Sequence, residues 1–259
     1  MATLTAWLRA FGFDPRRCLK ALRGFGRYWA ERRRFRADME DGFAWGPEFA
    51  ILNEWDETSG GLGAYFHQDQ WVAHLIYEAR PRRHVDVGSR LDGFIGRLAI
   101  FRQVDVIDIR PQPAPVRNVM FYQLDLMEEL PPEWVGCTDS LSCLHTLEHF
   151  GLGRYGDPID ANGHLKGLAQ LKRMVAPGGL LILSTPLGPQ RVEFNAHRVF
   201  AASTIVGWFS DGWEIERFDV IDDDNRIHED VAWRGAVSEN HFGCRLGVGI
   251  VVARKGGGS

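Results

Sequence analysis

At 259 residues and a formal net charge of −4, the chain is long enough to bury a large core and too acidic for a general nucleic-acid binder. An apolar fraction of 45% and a charged fraction of 25% are those of a soluble globular protein, and no apolar run approaches the roughly 20 residues needed to cross a bilayer. Cys18, Cys137, Cys143 and Cys244 are scattered with no Cys-x-x-Cys pair, which argues against a zinc or disulfide framework and predicts reduced, buried thiols in a cytoplasmic protein.

The charge is uneven, because residues 1–38 hold ten Lys or Arg against three acids. Cys18, Leu22, Phe25 and Trp29 fall on one face at helical spacing, with Arg16, Arg23, Arg27 and Arg32 to Arg34 around the others. Such a helix either rests on an anionic membrane surface or a partner, or packs on the domain with its arginines in water. Residues 1–63 are therefore set apart as an N-terminal helical extension, with 64–255 as the main domain and 256–259 as a linker-like tail. A helix is predicted from Gln68 to Glu78, burying Trp71, Val72, Leu75 and Ile76. The preceding Tyr65-Phe-His-Gln-Asp69 is either the bed of a cofactor's tail or a surface loop.

His84 to Gly93 reads as strand, tight turn and helix: Val85 and Val87 flank Asp86, Gly88 breaks the run, and Leu91, Phe94, Ile95, Leu98 and Ile100 follow as an amphipathic segment. Asp108 closes the next apolar run, 20 positions after Gly88. A nucleoside-binding α/β domain puts glycine at the first turn so that backbone can approach a ligand, and a carboxylate about 20 residues on for the ribose hydroxyls. Further strands are predicted at Val119–Leu124 (ending at Asp125), Thr138–Leu144, Leu180–Thr185, Trp213–Ile221 and Leu246–Ala253. A helix burying Leu165, Leu168, Leu171 and Val175 stops at Pro177-Gly-Gly179, and a second spans Ala202–Phe209. This alternation predicts an α/β sheet with helices on both faces and ligands at the carboxyl ends of its strands.

These landmarks resemble those of class I S-adenosylmethionine-dependent methyltransferases. Asp86-Val-Gly88 is similar to the first motif, Asp108 to the ribose acid and Asp125 to the acid facing the adenine amine. Asp139 to His149 resembles the fourth-strand motif, and Ala176-Pro-Gly-Gly-Leu-Leu-Ile the step into strand five. The resemblance implies a Rossmann-like, doubly wound, mostly parallel seven-stranded sheet with an antiparallel last strand. It implies cofactor contacts from Asp86, Gly88, Ser89, Gly93, Asp108, Ile109, Asp125, Leu126 and His145. Arg90 stands where the usual second glycine would be, so its side chain must point away from the cofactor or toward its carboxylate.

A closer resemblance covers Tyr65–Asp69, His84–Ser89, Asp108–Pro111, Gly151–Pro158 and Phe194–Phe200. It is to a methyltransferase-like family of unknown function that tends to occur beside bacterial surface-polysaccharide genes. It implies a sugar hydroxyl of a glycan or glycolipid precursor as methyl acceptor. Oxygen methylation needs in-line placement and a base for the hydroxyl proton. His149 and His197 are the candidate bases, with Glu148 orienting one of them or sharing a metal. Glu-His here also resembles ubiquinone-biosynthesis O-methyltransferases, which implies a possible divalent cation. Otherwise the pair simply begins a helix.

Arg154, Tyr155 and Asp157 lie on a glycine-rich loop that would close over a substrate, or form a structural loop with an Arg–Asp pair. Asn195 and Arg198 fit a substrate wall. Asp222 to Asp224 read as a solvated turn ahead of a metal site. The rival readings are a nicotinamide-dependent sugar enzyme, which lacks here a Gly-x-Gly-x-x-Gly fingerprint and a Tyr-x-x-x-Lys pair, and a non-catalytic module docked by the basic helix at the inner face of the membrane.

Overall fold

The computed structural model describes residues 4–39, 43–235 and 239–257. Residues 258–259 of the linker-like tail thus lie outside the described residues. The chain divides into two compact units, Met1–Gly61 and Leu62–Ser259.

In the first unit, α1 (Leu4–Ala10) precedes α2 (Pro15–Asp38), whose N-terminus is capped by Asp14 accepting from the Arg16 and Arg17 amides. Residues 45–57 return along one side of α2. Glu48 accepts from Tyr28 and Arg32, Trp55 Nε1 donates to Glu31 at 3.0 Å, and Lys20 pairs with Glu57 at 3.2 Å. Gly24 is required at this crossing, since a Cβ would lie 2.1 Å from the Leu52 carbonyl oxygen.

The second unit is built on an eight-stranded sheet of order β3-β2-β1-β4-β5-β10-β8-β9. The strands are β1 (His84–Val87), β2 (Val104–Asp108), β3 (Val119–Gln123), β4 (Thr138–Leu144), β5 (Val175–Leu187), β8 (Trp213–Ile221), β9 (Ile227–His228) and β10 (Gly247–Lys255). Pairs from β3 through β5 are parallel, and β10 runs antiparallel to both neighbours. The predicted seven-stranded sheet is therefore present with its reversed last strand, and the two-residue β9 adds an eighth at the edge. A separate hairpin, β6 (Arg191–Glu193) and β7 (His197–Val199), follows β5.

Period-two alternation in the strands sorts side chains to two cores. One face buries Val85, Val87, Leu141, Cys143, Leu181 and Leu183 beneath α5 (Gly163–Met174) and α6 (Ala202–Gly207). The other buries Val104, Val106, Ile182, Ile250 and Val252 beneath α3 (Ala64–Ala79) and the segment Leu91–Leu98, a π turn running into the short α4 (Gly96–Leu98).

Several predicted boundaries move for physical reasons. Helix α3 begins four residues earlier than expected, at an N-cap on Gly63. Helix α5 ends at Met174, so Val175 belongs to β5, and the Pro177-Gly-Gly179 stretch becomes an irregularity inside that strand's pairing with β4. Lys255 Nζ caps the helix end by donating to the Lys172 and Val175 carbonyls. Leu165 and Ile100, expected in the core, are 46% and 83% exposed. Of the four thiols predicted to be buried, Cys143 and Cys244 are; Cys137 is half-buried and Cys18 exposed.

Candidate functional site

The carboxyl ends of β1, β2 and β4 open onto one cavity of about 780 Å³, toward the upper end of the roughly 300–1,000 Å³ typical of small-molecule sites. Gly88 makes the first turn with φ +77°, and a Cβ there would meet Thr146 Cγ2 at 2.2 Å. Only glycine fits. Gly93 approaches the Asp69 carboxylate so closely that a Cβ would lie 3.1 Å from Oδ2.

Of the predicted cofactor residues, Gly88, Ser89, Gly93, Asp108, Ile109, Asp125, Leu126 and His145 line this cavity. Asp86 does not. It is fully buried behind the wall, where its carboxyl accepts from Ser142 Oγ (2.6 Å), Ser89 Oγ (2.9 Å) and the Ser89 amide (3.1 Å). Burial pushes that carboxyl up to about 7, against the pull of these hydrogen bonds. Register places His84 opposite Ser140 and Asp86 opposite Ser142. His84 Nδ1 lies 2.9 Å from Ser140 Oγ and Nε2 3.1 Å from Ser142 Oγ, and burial drives the imidazole down to about 3. Each imidazole nitrogen thus has a serine hydroxyl as partner, and the neutral ring is satisfied at both nitrogens.

The Arg90 side chain pairs with exposed Asp92 at 2.6 Å, and both residues line the cavity. Asp108 carries a contact the sequence does not announce. Arg110 grips it bidentately, Nε to Oδ1 at 2.9 Å and Nη2 to Oδ2 at 2.5 Å, while the Arg110 amide also donates to Oδ1. The same guanidinium lies 4.5 Å from the centre of the Tyr155 ring. A ribose diol would share the Asp108 oxygens with Arg110 or displace it.

The opposite wall is made where β4 ends. His145 takes φ +48°, a left-handed turn that a side chain adopts at a cost, held by Ser184 accepting from its amide. The turn runs into Leu147–His149 and sets Glu148, 1% exposed, between two imidazoles: Oε1 is 2.9 Å from His145 Nδ1 and 3.7 Å from His149 Nε2. His149 Nδ1 donates to the Ala196 carbonyl at 2.7 Å, so in the neutral ring Nε2 carries the lone pair. Burial lowers the His149 pKa, with Glu148 opposing, and keeps the ring in its basic form. His197 lines the cavity from β7, 3.4 Å from a Glu193 oxygen but without a hydrogen bond at Nε2. His145 Nε2, Glu148 Oε2 and His197 Nε2 are buried polar atoms without a hydrogen-bond partner among the described residues, and all three residues face this one cavity.

The predicted substrate residues divide. Arg154 and Tyr155 line the cavity, Arg154 donating to the Ala196 carbonyl at 2.8 Å and Tyr155 packing edge-on against His149 at 5.5 Å. Asp157 also lines it, but its carboxylate is committed to the Gly151, Gly153 and Tyr155 amides and so shapes the loop. Arg198 is withdrawn from the cavity. It is buried, donating to the carbonyls of Glu148, Phe150, Asp160 and Ala161, and thereby fixes the turn that carries Glu148. Asn195 is exposed at the β6–β7 turn, outside the cavity lining.

The expected divalent cation finds no support: among the described residues no group of three or more His, Cys, Asp or Glu is arranged to hold an ion. Asp222 accepts from the Asp224 and Arg226 amides, and Asp223 from those of Arg245 and Leu246, so these acids organise turns. Cavity residues not assigned from sequence include Arg110, Gln68, Met127 and Leu246 to Val248. Arg110 alone had a local signal, two residues beyond Asp108. Tyr65 and Asp69, from the ambiguous stretch, line the cavity from the first turns of α3.

A family model described as "Caenorhabditis protein of unknown function, DUF268" matches residues 123–225, less than half of the chain. No curated protein matches. Among solved structures, the [4+2]-cyclase SpnF aligns with a TM-score of 0.50 at 15% identity, over 77% of this chain and 86% of its own. The N-methyltransferase NodS from Bradyrhizobium japonicum, bound to S-adenosylhomocysteine, gives 0.46 at 14%, over 73% and 87%. The amino pentose methyltransferase CalS10 from Micromonospora echinaspora gives 0.46 at 15%, over 74% and 91%. The fold is a Rossmann-like, mostly parallel α/β sheet with helices on both faces. Likeness at this identity speaks to the fold, and the reaction has to be argued from the site.

Proposed function

We propose that the chain is an S-adenosylmethionine-dependent O-methyltransferase whose acceptor is a sugar hydroxyl of a surface glycan or its precursor. The observation that carries this reading is the pairing, in one cavity, of a glycine-and-acid cradle (Gly88, Asp108, Asp125) with a half-buried His149, its pKa lowered by desolvation, whose Nε2 carries the lone pair and can take a proton. The cradle fits the cofactor because a Cβ would fill the space at Gly88, while Asp108 and Asp125 stand at the ends of successive strands. When bound, the cofactor supplies an electrophilic methyl group on sulfur.

This chain's residues do the rest. Asp108 would take the ribose hydroxyls and Asp125 the adenine amine. His149 Nε2 would receive the acceptor's hydroxyl proton, so that the oxygen could take the methyl group a bound cofactor would supply. Ala196 holds the ring by Nδ1, and the Glu148 carboxylate, 3.7 Å away, stabilises the imidazolium that results. Tyr155 presents a ring face and edge to a sugar, and Arg154 a cation to any phosphate attached to it. The unmatched atoms of His145, Glu148 and His197 suit a polyhydroxylic ligand, which offers donors and acceptors at several positions. The glycan acceptor also rests on the sequence resemblance.

SpnF is a [4+2]-cyclase on a similar fold, so the choice of methyl transfer depends on the cradle and the base together. Incubation of the purified protein with methyl-labelled S-adenosylmethionine and a panel of nucleotide and lipid-linked sugars tests it. Alkali-stable label on sugar oxygen is expected. Cofactor binding with label only on nitrogen or carbon acceptors would contradict oxygen methylation.

A further inference from the structure

The first unit presents a surface that the proposed reaction leaves unused. Along α2, Cys18, Leu22, Phe25 and Trp29 recur at i, i+4, i+7 and i+11 and form a single stripe. Leu22 is 73% exposed, Phe25 53% and Trp29 44%, with Phe25 and Trp29 in edge contact at 6.1 Å. The opposite side of the same helix is already covered. Residues 45–57 lie on it through Glu48, Leu52, Trp55 and Glu57, which engage Tyr28, Arg32, Gly24, Glu31 and Lys20. Within this unit, residues 45–57 thus cover one face of α2, while the described side chains of the stripe are exposed.

The charges around the bare stripe identify what would cover it. At 100° per residue Leu19, 50% exposed, widens the stripe on one side, and Arg16, Arg23 and Arg34 lie about 40–60° beyond it, with Arg33 beside Leu22 and Arg36, which also packs over Trp45, in line with the stripe toward the C-terminal end. None of these five makes an ion pair among the described residues. The basic residues that are paired, Lys20, Arg27 and Arg32, turn toward Glu57, Glu31 and Glu48 on the covered side. An apolar stripe with aromatic rings, flanked by unpaired arginines, is complementary to an anionic lipid surface. Rings and leucine enter the headgroup boundary while arginine stems lie flat and their guanidinium groups reach phosphate.

A second copy of the chain fits less well, because a two-fold pairing would bring the five unpaired arginines against one another. A duplex nucleic acid would engage the arginines but leave Leu22 and Phe25 in water. No helix among the described residues is long and apolar enough to cross a membrane, so the contact is peripheral. We infer that the Cys18–Leu22–Phe25–Trp29 face of α2 docks the protein on anionic lipid bilayers. The inference is independent of the reaction proposed above.

Flotation of the full-length protein with phosphatidylcholine vesicles, against vesicles containing one third phosphatidylglycerol, tests it. Recovery on the anionic vesicles should exceed that on neutral ones about tenfold, and fall as salt rises from about 0.1 to about 0.5 M. Leu22→Ser with Phe25→Ser should abolish flotation, and Arg23→Gln with Arg33→Gln and Arg34→Gln should bring it to the neutral-lipid level. All five side chains are exposed, and circular dichroism confirms that each variant folds. In a Cys137→Ser background, an environment-sensitive fluorophore on exposed Cys18 should shift to the blue with anionic vesicles alone. Equal recovery on neutral vesicles, no flotation, or a wild-type dimer that Leu22→Ser with Phe25→Ser returns to monomer would each overturn the inference.

Discussion

Two polar clusters lie around the same pair of strands and behave in opposite ways. Between β1 and β4, His84, Asp86, Ser140 and Ser142 are buried and hydrogen-bond to one another, and with the Ser89 hydroxyl and amide both imidazole nitrogens and both carboxyl oxygens are matched. Just beyond the end of β4, His145 Nε2 and Glu148 Oε2 are also buried, yet neither atom has a partner among the described residues. Burying a polar group without a hydrogen bond costs roughly 1–3 kcal/mol. A closed network belongs to the scaffold, and an open one on a cavity wall is poised for something that arrives. By that criterion Asp86 braces the cavity from behind, while His145, Glu148 and His197 hold atoms open to a ligand.

The largest effect should come from the open cluster. His149→Asn keeps a donor toward the Ala196 carbonyl but removes the basic nitrogen, so methyl transfer should fall by a hundredfold or more, with cofactor affinity unchanged by calorimetry. A variant with near wild-type turnover would move the base elsewhere, His197 being the next test. Gly88→Ala should follow. The added Cβ meets Thr146 at 2.2 Å and the residue has φ +77°, so cofactor affinity should drop at least about tenfold, from a strain of about 1–3 kcal/mol.

The closed cluster should respond to pH instead. The Asp86 carboxyl keeps its proton in the fold up to about 7 but loses it near 3.8 when unfolded, so its contribution to stability falls as pH rises through that window. His84 does the reverse: unfolded it takes a proton below 6.5 and folded only near 3, so its contribution rises with pH between those values. The two slopes oppose each other where they overlap. Asp86→Asn removes the falling one, so thermal stability relative to wild type should climb with pH across that window. The climb is up to about 1.4 kcal/mol, or roughly 3–6 °C, per pH unit. A constant difference between the two proteins would show that Asp86 is ionised in the fold. The smallest effect belongs to Arg90→Ala. Its pair with Asp92 is exposed and contributes little, so the melting temperature should hardly change.

Much of the frame was legible because its signals are local. Val85 and Val87 beside Gly88, the acid 20 positions on, and Thr138–Leu144 and Trp213–Ile221 as strands follow from β-branched runs and turn residues near in sequence. The cavity wall was legible only in part, because its roles depend on long-range contacts. Arg198 has the chemistry of a substrate clamp, but four carbonyls 37 to 50 positions away claim it. Asp157 is likewise spent on its own loop, and Arg110 acquires its place over Tyr155 only when two distant loops meet. Asp86 matched a cofactor motif while serving as a buried brace, a role visible only once β4 lies beside β1.

The central claim, that the ends of β1, β2 and β3 form a cofactor cradle, is tested most directly by calorimetric titration of the purified protein with S-adenosylhomocysteine, alongside Asp108→Ala. The account predicts micromolar binding to the wild type and a loss of at least about tenfold in the variant, the scale of a charge-assisted hydrogen bond. No binding by a folded wild type, or equal binding by both, would contradict it.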